Sequence, residues 1–263
     1  MSSLDLFTHT KPIIGVIHLL PLPGAPKFAG EIDPIFERAT REAAALSAAG
    51  VDGMIIENYN DEPFSLDEPE PEQLALMASA IALIRHQVTV PIGVNVHFNA
   101  WRAEIALALA CKAQFTRVEV FVDTVVTYAG IVQPCCAAVT RYRKSIGAER
   151  VAIWADLHPK FSRNLISTPL QESARMAEIA LADAVIITGN ATGLATPLAD
   201  VTAVKEATRL PVLVGSGATA DSIADILQTA DGAIVGSAFK EDGNVYNQVS
   251  IDATRRLIQA AGY

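Results

Sequence analysis

Val212-Leu213-Val214-Gly215-Ser216-Gly217 and Ala233-Ile234-Val235-Gly236-Ser237-Ala238 are two short apolar runs, each breaking into glycine and serine. They lie about one βα unit apart, and each reads as a buried strand that ends where a helix is about to begin. The last two units of a (β/α)₈ barrel are built in this way when they hold a phosphate. Glycine lets backbone N–H groups approach an anion with no Cβ in the way. A helix N-terminus adds unpaired donors and a favourable dipole. The pair of runs therefore predicts an anion grip at Gly215, Ser216, Gly217, Gly236 and Ser237.

Upstream of this pair, strand-like and helix-like runs alternate from end to end, as in a parallel α/β fold. The predicted strands are 12–18, 53–57, 91–96, 116–122, 151–157, 184–188, 211–215 and 232–236. Helices are predicted between them over 34–49, from Pro71 to near Gln87, and over 100–112, 134–147, 169–181, 197–208 and 219–228, with a last one over 247–260. Asp33 is placed as the N-cap of the first, Pro34 as its first helical residue and Gly50 as its stop. The first strand is followed by prolines and no G-x-G-x-x-G, which disfavours an open dinucleotide-binding sheet. Eight units in 263 residues predict one (β/α)₈ barrel of the phosphate-binding type, spanning residues 1–263 as a single domain.

Composition narrows the function classes. The formal net charge is -9 and the hydrophobic fraction 51%. An acidic chain without basic clusters disfavours nucleic acid or an anionic membrane as partner. No apolar run is long enough to span a bilayer. Three cysteines (Cys111, Cys135, Cys136) do not make a disulfide framework, so a cytoplasmic protein is expected. The apolar content is compatible with a homo-oligomer.

Chemistry in such a barrel sits at the C-terminal strand ends. Those ends carry His18, Glu57-Asn58, Asn95, His97, Glu119, Asp156, His158, Thr188, Gly189 and Asn190. Period-two alternation turns Glu119 away from Val118 and Val120 and so toward the barrel axis, and it groups Asp156 with His158 and Asn95 with His97. His18, Glu57, Asn95, Glu119 and Asp156 are thus expected to converge on one small phosphorylated ligand. Glu119 and Asp156 are the candidate base or ligand groups, with His18 and Glu57 positioning substrate. His158, Thr188, Gly189 and Asn190 are further candidates for binding. A structural alternative is that a buried Glu pairs with Arg117 or Arg163. A divalent metal is a second alternative, because Glu, Asp, Asn and His suit Mg, Mn or Zn. No lysine lies within a predicted strand, and Lys160, Lys27 and Lys240 fall in loops, which disfavours Schiff-base chemistry from a strand lysine. The loops 20–30 and 58–71 are long enough to act as lids.

At these residues the chain resembles the BtpA/SgcQ family. The resemblance rests on Gly15-Val16-Ile17-His18-Leu19-Leu20-Pro21-Leu22-Pro23-Gly24, Asp52-Gly53-Met54-Ile55-Ile56-Glu57-Asn58, Gly93-Val94-Asn95-Val96 and Ala155-Asp156-Leu157-His158. It continues through Asp183-Ala184-Val185-Ile186-Ile187-Thr188-Gly189 and Val214-Gly215-Ser216-Gly217. Asn95-Val96-His97-Phe98-Asn99 departs from the family's Asn-x-Leu-x-Asn form, so Asn95 and Asn99 fit the pattern and His97 does not. The resemblance implies a barrel related to phosphate-binding barrels. One branch of the family is named for photosystem I biogenesis, and another accompanies sugar-utilisation genes and is only described as a nucleosidase or sugar enzyme, with no settled reaction. Two readings follow. One is an enzyme for a small phosphorylated sugar or nucleoside-like substrate, by lyase, isomerase or N-glycosidic chemistry. The other is a non-catalytic assembly or stability factor for photosystem I or another complex.

Overall fold

The computed structural model describes residues 2–66, 68–189 and 196–263. Eight parallel strands close into a barrel: β1 (Ile13–His18), β2 (Gly53–Glu57), β3 (Ile92–Asn95), β4 (Phe115–Val118), β7 (Ala152–Leu157), β9 (Ala184–Ile187), β10 (Val212–Val214) and β11 (Gly232–Val235). The helices α1 (Asp33–Ala49), α2 (Pro71–Gln87), α3 (Trp101–Ala110), α4 (Cys136–Ser145), α5 (Leu170–Ile179), α6 (Leu198–Ala207), α7 (Ile223–Thr229) and α8 (Ile251–Ala260) follow the barrel strands in turn. The expected fold is the observed one.

Alternation along each strand sorts two cores. Residues such as Ile17, Ile56, Val94 and Val214 face the helices in one large cluster. The opposite parity, Ile14, Val16, Ile55, Phe115, Trp154, Ile186, Leu213 and Ile234, fills the barrel axis. Phe115 stacks on Trp154 with ring centroids 4.0 Å apart. Phe7 joins this inner cluster from the segment before β1, with its ring 6.0 Å from Phe115 and 5.9 Å from Trp154. Gly93 leaves room for this stack, since a Cβ there would lie 2.1 Å from a Phe115 ring carbon.

Several local expectations are corrected. Asp33 is the first helical residue of α1, and neither it nor Ile32 before it caps the helix with a side chain. Gly50 does end the helix, at φ 91°. The fourth barrel strand stops at Val118 rather than Val122, because the chain leaves the sheet where Asn99 Oδ1 takes the Val120 N–H. A second sheet, absent from the sequence reading, is formed by β5 (Val125–Thr127), β6 (Gly130–Val132) and β8 (Ser162–Asn164). Its strands are three residues each, too short for periodicity to register. The loops 20–30 and 58–71 are pinned at their bases. Asp61 accepts the Leu22 N–H, and the Asn60 side-chain amide donates to the Leu19 carbonyl.

Lys240 is buried, and its Nζ lies 2.7 Å from Glu42 Oε2 on α1. Glu42 Oε1 also accepts from Arg38 and from the Val249 N–H. This pair fastens the segment after β11 to α1. Breaking a buried pair leaves an uncompensated charge, at about 3–5 kcal/mol.

The inner core gives a first test. Phe7→Ala should lower the unfolding free energy by about 3 kcal/mol, in the range for deleting a buried aromatic ring. Urea unfolding measures it, and a value near zero would show that the leading segment does not seal the barrel.

Candidate active site

At the C-terminal mouth of the barrel, a cavity of about 80 Å³ is lined by residues from widely separated strands. Gly215, Ser216, Gly217, Gly236 and Ser237 lie on its wall together with His18, Glu57, His97, Arg117, Glu119, Asp156 and Lys160. The two glycine-serine bends thus meet in space. At Gly217 φ is +73°, which favours glycine. The backbone N–H groups of Gly217 and Ser237 donate to no described atom. Ser216 Oγ accepts the Gly189 N–H at 2.7 Å. Regular helices do not start at these bends, contrary to expectation. The first bend passes through a hydrogen-bonded turn at Thr219 to Ser222 before α7, and the second enters a single 3₁₀ turn over Ser237–Phe239.

Arg117 is central. Its Nε lies 3.0 and 3.2 Å from the two Asp156 oxygens, its Nη2 2.9 Å from Asp156 Oδ2, and its Nη1 3.4 Å from Glu57 Oε1. Bidentate guanidinium–carboxylate pairs of this kind are strong and directional. Register explains the neighbours: His18 stands opposite Glu57 across β1 and β2, so both side chains project from the same face. His18 Nε2 and His97 Nε2 each lie 3.6 Å from Glu57 Oε2. His97 Nδ1 lies 2.7 Å from Glu119 Oε1, a charge contact rather than an aligned hydrogen bond. Glu119 Oε2 accepts the Asn99 N–H at 2.8 Å.

Burial and charge set the protonation states. Burial pushes His18 below its ordinary value despite the opposing pull of Glu57, so it is neutral at pH 7. Burial would also lower His97, but Glu119 and Glu57 reverse this and raise it to about 10. For Glu57, burial is outweighed by His18, His97 and Arg117, which hold it well below the carboxylate range. Burial raises Asp156 in spite of Arg117. Burial, with Arg117 nearby, lowers Lys160 to about 8. The mouth therefore combines a neutral imidazole, an imidazolium, an amine near neutrality and three carboxyl groups. Acid–base chemistry uses such a range of groups.

Not every candidate residue reaches the cavity. Asn95 is fully buried outside its lining. β3 and β4 pair only at Gly93 and Val94, and just above them the Asn95 amide donates to the Arg117 carbonyl and to Glu104, bridging the gap. Glu104 also accepts from Thr116 and Val96. Alternation fails for His158 because its φ is +54°; the ring turns toward Ser173 and Asp123 instead of following Asp156 inward. Thr188 and Gly189 lie behind the wall, and Asn190 lies outside the described residues. Arg163 is exposed and bonds the Ser162 carbonyl, so Arg117 alone of the two arginines pairs with the buried acids. Three charged lining residues, Arg117, Lys160 and His97, lay outside the group expected to converge on the ligand. Arg117 was legible, since it shares parity with Glu119. Alternation grouped His97 with Asn95, but β3 ends at Asn95 and only His97 reaches the cavity, because the pleat no longer sets direction beyond the strand; Lys160 lies past the end of β7 in the same way. Among the described residues no group of three or more His, Cys, Asp or Glu side chains is placed to hold a metal ion. No helix among them is long and apolar enough to cross a membrane.

The BtpA family model matches residues 9–262. The chain belongs to the BtpA family. An uncharacterized protein of Thermococcus kodakarensis is 37% identical over 95% of both chains. The photosystem I biogenesis protein BtpA of Synechocystis is 36% identical over 98% of this chain and 91% of that one. Among solved structures, tryptophan synthase of Mycobacterium tuberculosis superposes with a TM-score of 0.63 at 17% identity, covering 96% of this chain and 93% of that one. N-(5'-phosphoribosyl)anthranilate isomerase of Pyrococcus furiosus superposes with a TM-score of 0.58 at 14% identity, covering 97% of this chain and 99% of that one. At these identities the likeness concerns the fold.

The raised His97 makes a signed prediction. A group whose folded pKa lies above its unfolded 6.5 adds stability that is fully present below pH 6.5 and is lost as pH rises through about 10. The stability gap between the protein and His97→Gln should therefore shrink between pH 6.5 and 10, as followed by urea unfolding across that range. A pH-independent gap would contradict the ion pair.

Proposed function

We propose that this BtpA-family barrel is an enzyme acting on a small phosphorylated sugar or nucleoside-like substrate at its C-terminal mouth. One observation carries the reading: both glycine-serine bends border the same cavity as Glu57, Arg117, Glu119, Asp156 and Lys160. A phosphate set against the bends would meet backbone N–H groups and the Lys160 amine. The reacting carbon would then face the carboxyl and imidazole groups. Glu119 and Asp156 serve as base groups, Arg117 holds Asp156 in place, and the neutral His18 and Glu57 orient the substrate. The choice among lyase, isomerase and N-glycosidic chemistry is left to the substrate. The isomerase that shares the fold carries a phosphoribosyl group in its name, in keeping with this substrate class.

A second reading, a non-catalytic assembly factor, draws support from the name of the Synechocystis relative and from exposed apolar side chains around the small sheet, including Ile131 and Ile166. A homo-oligomer covering the same surface is a further proposal.

A thermal-shift screen of phosphorylated sugars and nucleotides, with and without divalent metals, separates the two main readings. A specific ligand raises the melting point by mass action. If no phosphorylated compound does so, the enzyme reading fails. Once turnover is found, Glu119→Gln and Asp156→Asn should each reduce kcat at least 100-fold, the usual scale for a positioned acid or base.

Lys160 supplies a pH test. With its pKa near 8, it should lose its charge between pH 7 and 9 and weaken binding of ribose 5-phosphate over that interval. Lys160→Met should bind more weakly at pH 7 and lose the pH dependence. Titration calorimetry at pH 7, 8 and 9 reads both effects.

A further inference from the structure

Beside the main cavity lies a second one of about 120 Å³ whose walls are mostly aromatic. Tyr59, Phe64, Phe98, Tyr128 and Phe161 line it, and Tyr59, His97, Phe98 and Phe161 line the main cavity as well, so the two spaces adjoin. Phe64 stacks on Phe98 with centroids 4.6 Å apart and planes 15° from parallel. Tyr128, at the turn between β5 and β6, lies 4.3 Å from Phe64 by centroids, and its hydroxyl accepts the Phe64 N–H at 3.0 Å. Four separate loops, those after β2, β3 and β7 and the β5–β6 turn, therefore bring their rings to one place. That arrangement accounts for the small extra sheet, whose turn carries Tyr128 to the mouth.

We infer that this annex is a subsite for a planar unsaturated ring, joined in the substrate to the phosphorylated part held at the glycine-serine bends; the inference rests on the proposed phosphate reading and deepens it. At about 120 Å³ the annex is of the same order as the ~150 Å³ apolar cavity known to admit a benzene ring, and it adjoins the main cavity, from which a planar ring can enter. Aromatic rings prefer offset stacked or edge-on neighbours, and Phe64, Phe98 and Tyr128 present both faces and edges. The side chains of Asn58, Asp61 and Glu62 at the annex are already engaged. Asn58 accepts from the His97 N–H and donates to Asp61, Asp61 also accepts from Leu22, and Glu62 bonds Lys27 and Tyr246. The annex consequently reads flatness rather than a pattern of donors and acceptors, and it does not distinguish one heterocycle from another. A ligand spanning both spaces passes His97, which lines each of them and lies against Glu57 and Glu119. The bond joining ring and phosphorylated sugar is thereby brought to the acid–base groups. The substrate class is an N-linked ring on a sugar phosphate, as in a nucleoside 5'-monophosphate.

Titration calorimetry on the intact protein tests this with four probes: inorganic phosphate, ribose 5-phosphate, adenosine and adenosine 5'-monophosphate. The expected result is that the monophosphate binds roughly 10- to 100-fold more tightly than ribose 5-phosphate, the scale of base–aromatic stacking. Phe64→Leu should remove that gain and leave ribose 5-phosphate unchanged, while Phe64→Trp should keep it. Inosine 5'-monophosphate should match the adenosine compound within a few-fold. A monophosphate no tighter than ribose 5-phosphate overturns the annex while the phosphate reading stands. Equal weakening of both ligands by Phe64→Leu also overturns it, since that marks a structural role. Adenosine binding that depends on Phe64, with no response to any phosphate, upholds the annex and overturns the phosphate reading. Failure of all four probes overturns both.

Discussion

The guanidinium of Arg117 is the contact on which the mouth of this barrel depends. It bridges Asp156 on β7 and Glu57 on β2 across the axis. Both carboxylates are buried and the guanidinium nearly so, and taking an ion out of water costs several kcal/mol that only good geometry and further hydrogen bonds return. Two carboxylates at that spacing would repel each other without the cation between them. With it, Glu57 stays ionised far below the usual range and in turn draws His18 and His97 toward itself. The acidic ring can thus be held inside an apolar barrel by one positive side chain of matching parity. The same placement puts a protein cation where a bound metal would compete for the carboxyl groups.

The electrostatic design is graded rather than uniform. Three basic groups face the same cavity but in different states: Arg117 is permanently charged, His97 stays protonated to about pH 10, and Lys160 titrates near 8. The difference comes from partners. His97 lies against two carboxylates, whereas Lys160 is half-buried, has no ion-pair partner among the described residues and feels Arg117. The Glu42–Lys240 pair is a separate buried link that holds the segment after β11 to α1, so the wall at the second glycine-serine bend has its own structural anchor.

Binding space at the mouth is assembled from the loops and not from the strands. The 58–66 loop, the segment after β3 and the β5–β6 turn each supply a ring to the aromatic annex. Their bases are tied to the frame through Asn58, Asn60 and Asp61, which spend their polar groups on the loops themselves. A rigid frame with fixed loops suits recognition by shape, because little ordering is left to occur on binding.

The amino-acid sequence determined what depends on local periodicity. Apolar runs alternating with amphipathic ones specified eight βα units, and the parity of Glu119 and Asp156 specified which way those carboxyls turn, because side chains alternate along a strand. The sequence also marked the glycine-serine bends, since few residue types suit such a backbone. What lay beyond local periodicity was decided by the closed barrel. His158 was expected beside Asp156 but turns away at a positive φ, and Asn95 was expected in the cavity but bridges the gap between β3 and β4. Lys160 and His97 enter the site from beyond the ends of β7 and β3, where the pleat no longer sets direction, so His97 parts from Asn95, with which alternation had grouped it. The pairing of Arg117 with Glu57 joins residues 60 apart in the chain, a choice that only closure of the sheet makes. The physical reason is range: a strand's pleat is set by adjacent residues, whereas a buried charge finds its partner only when distant strands meet.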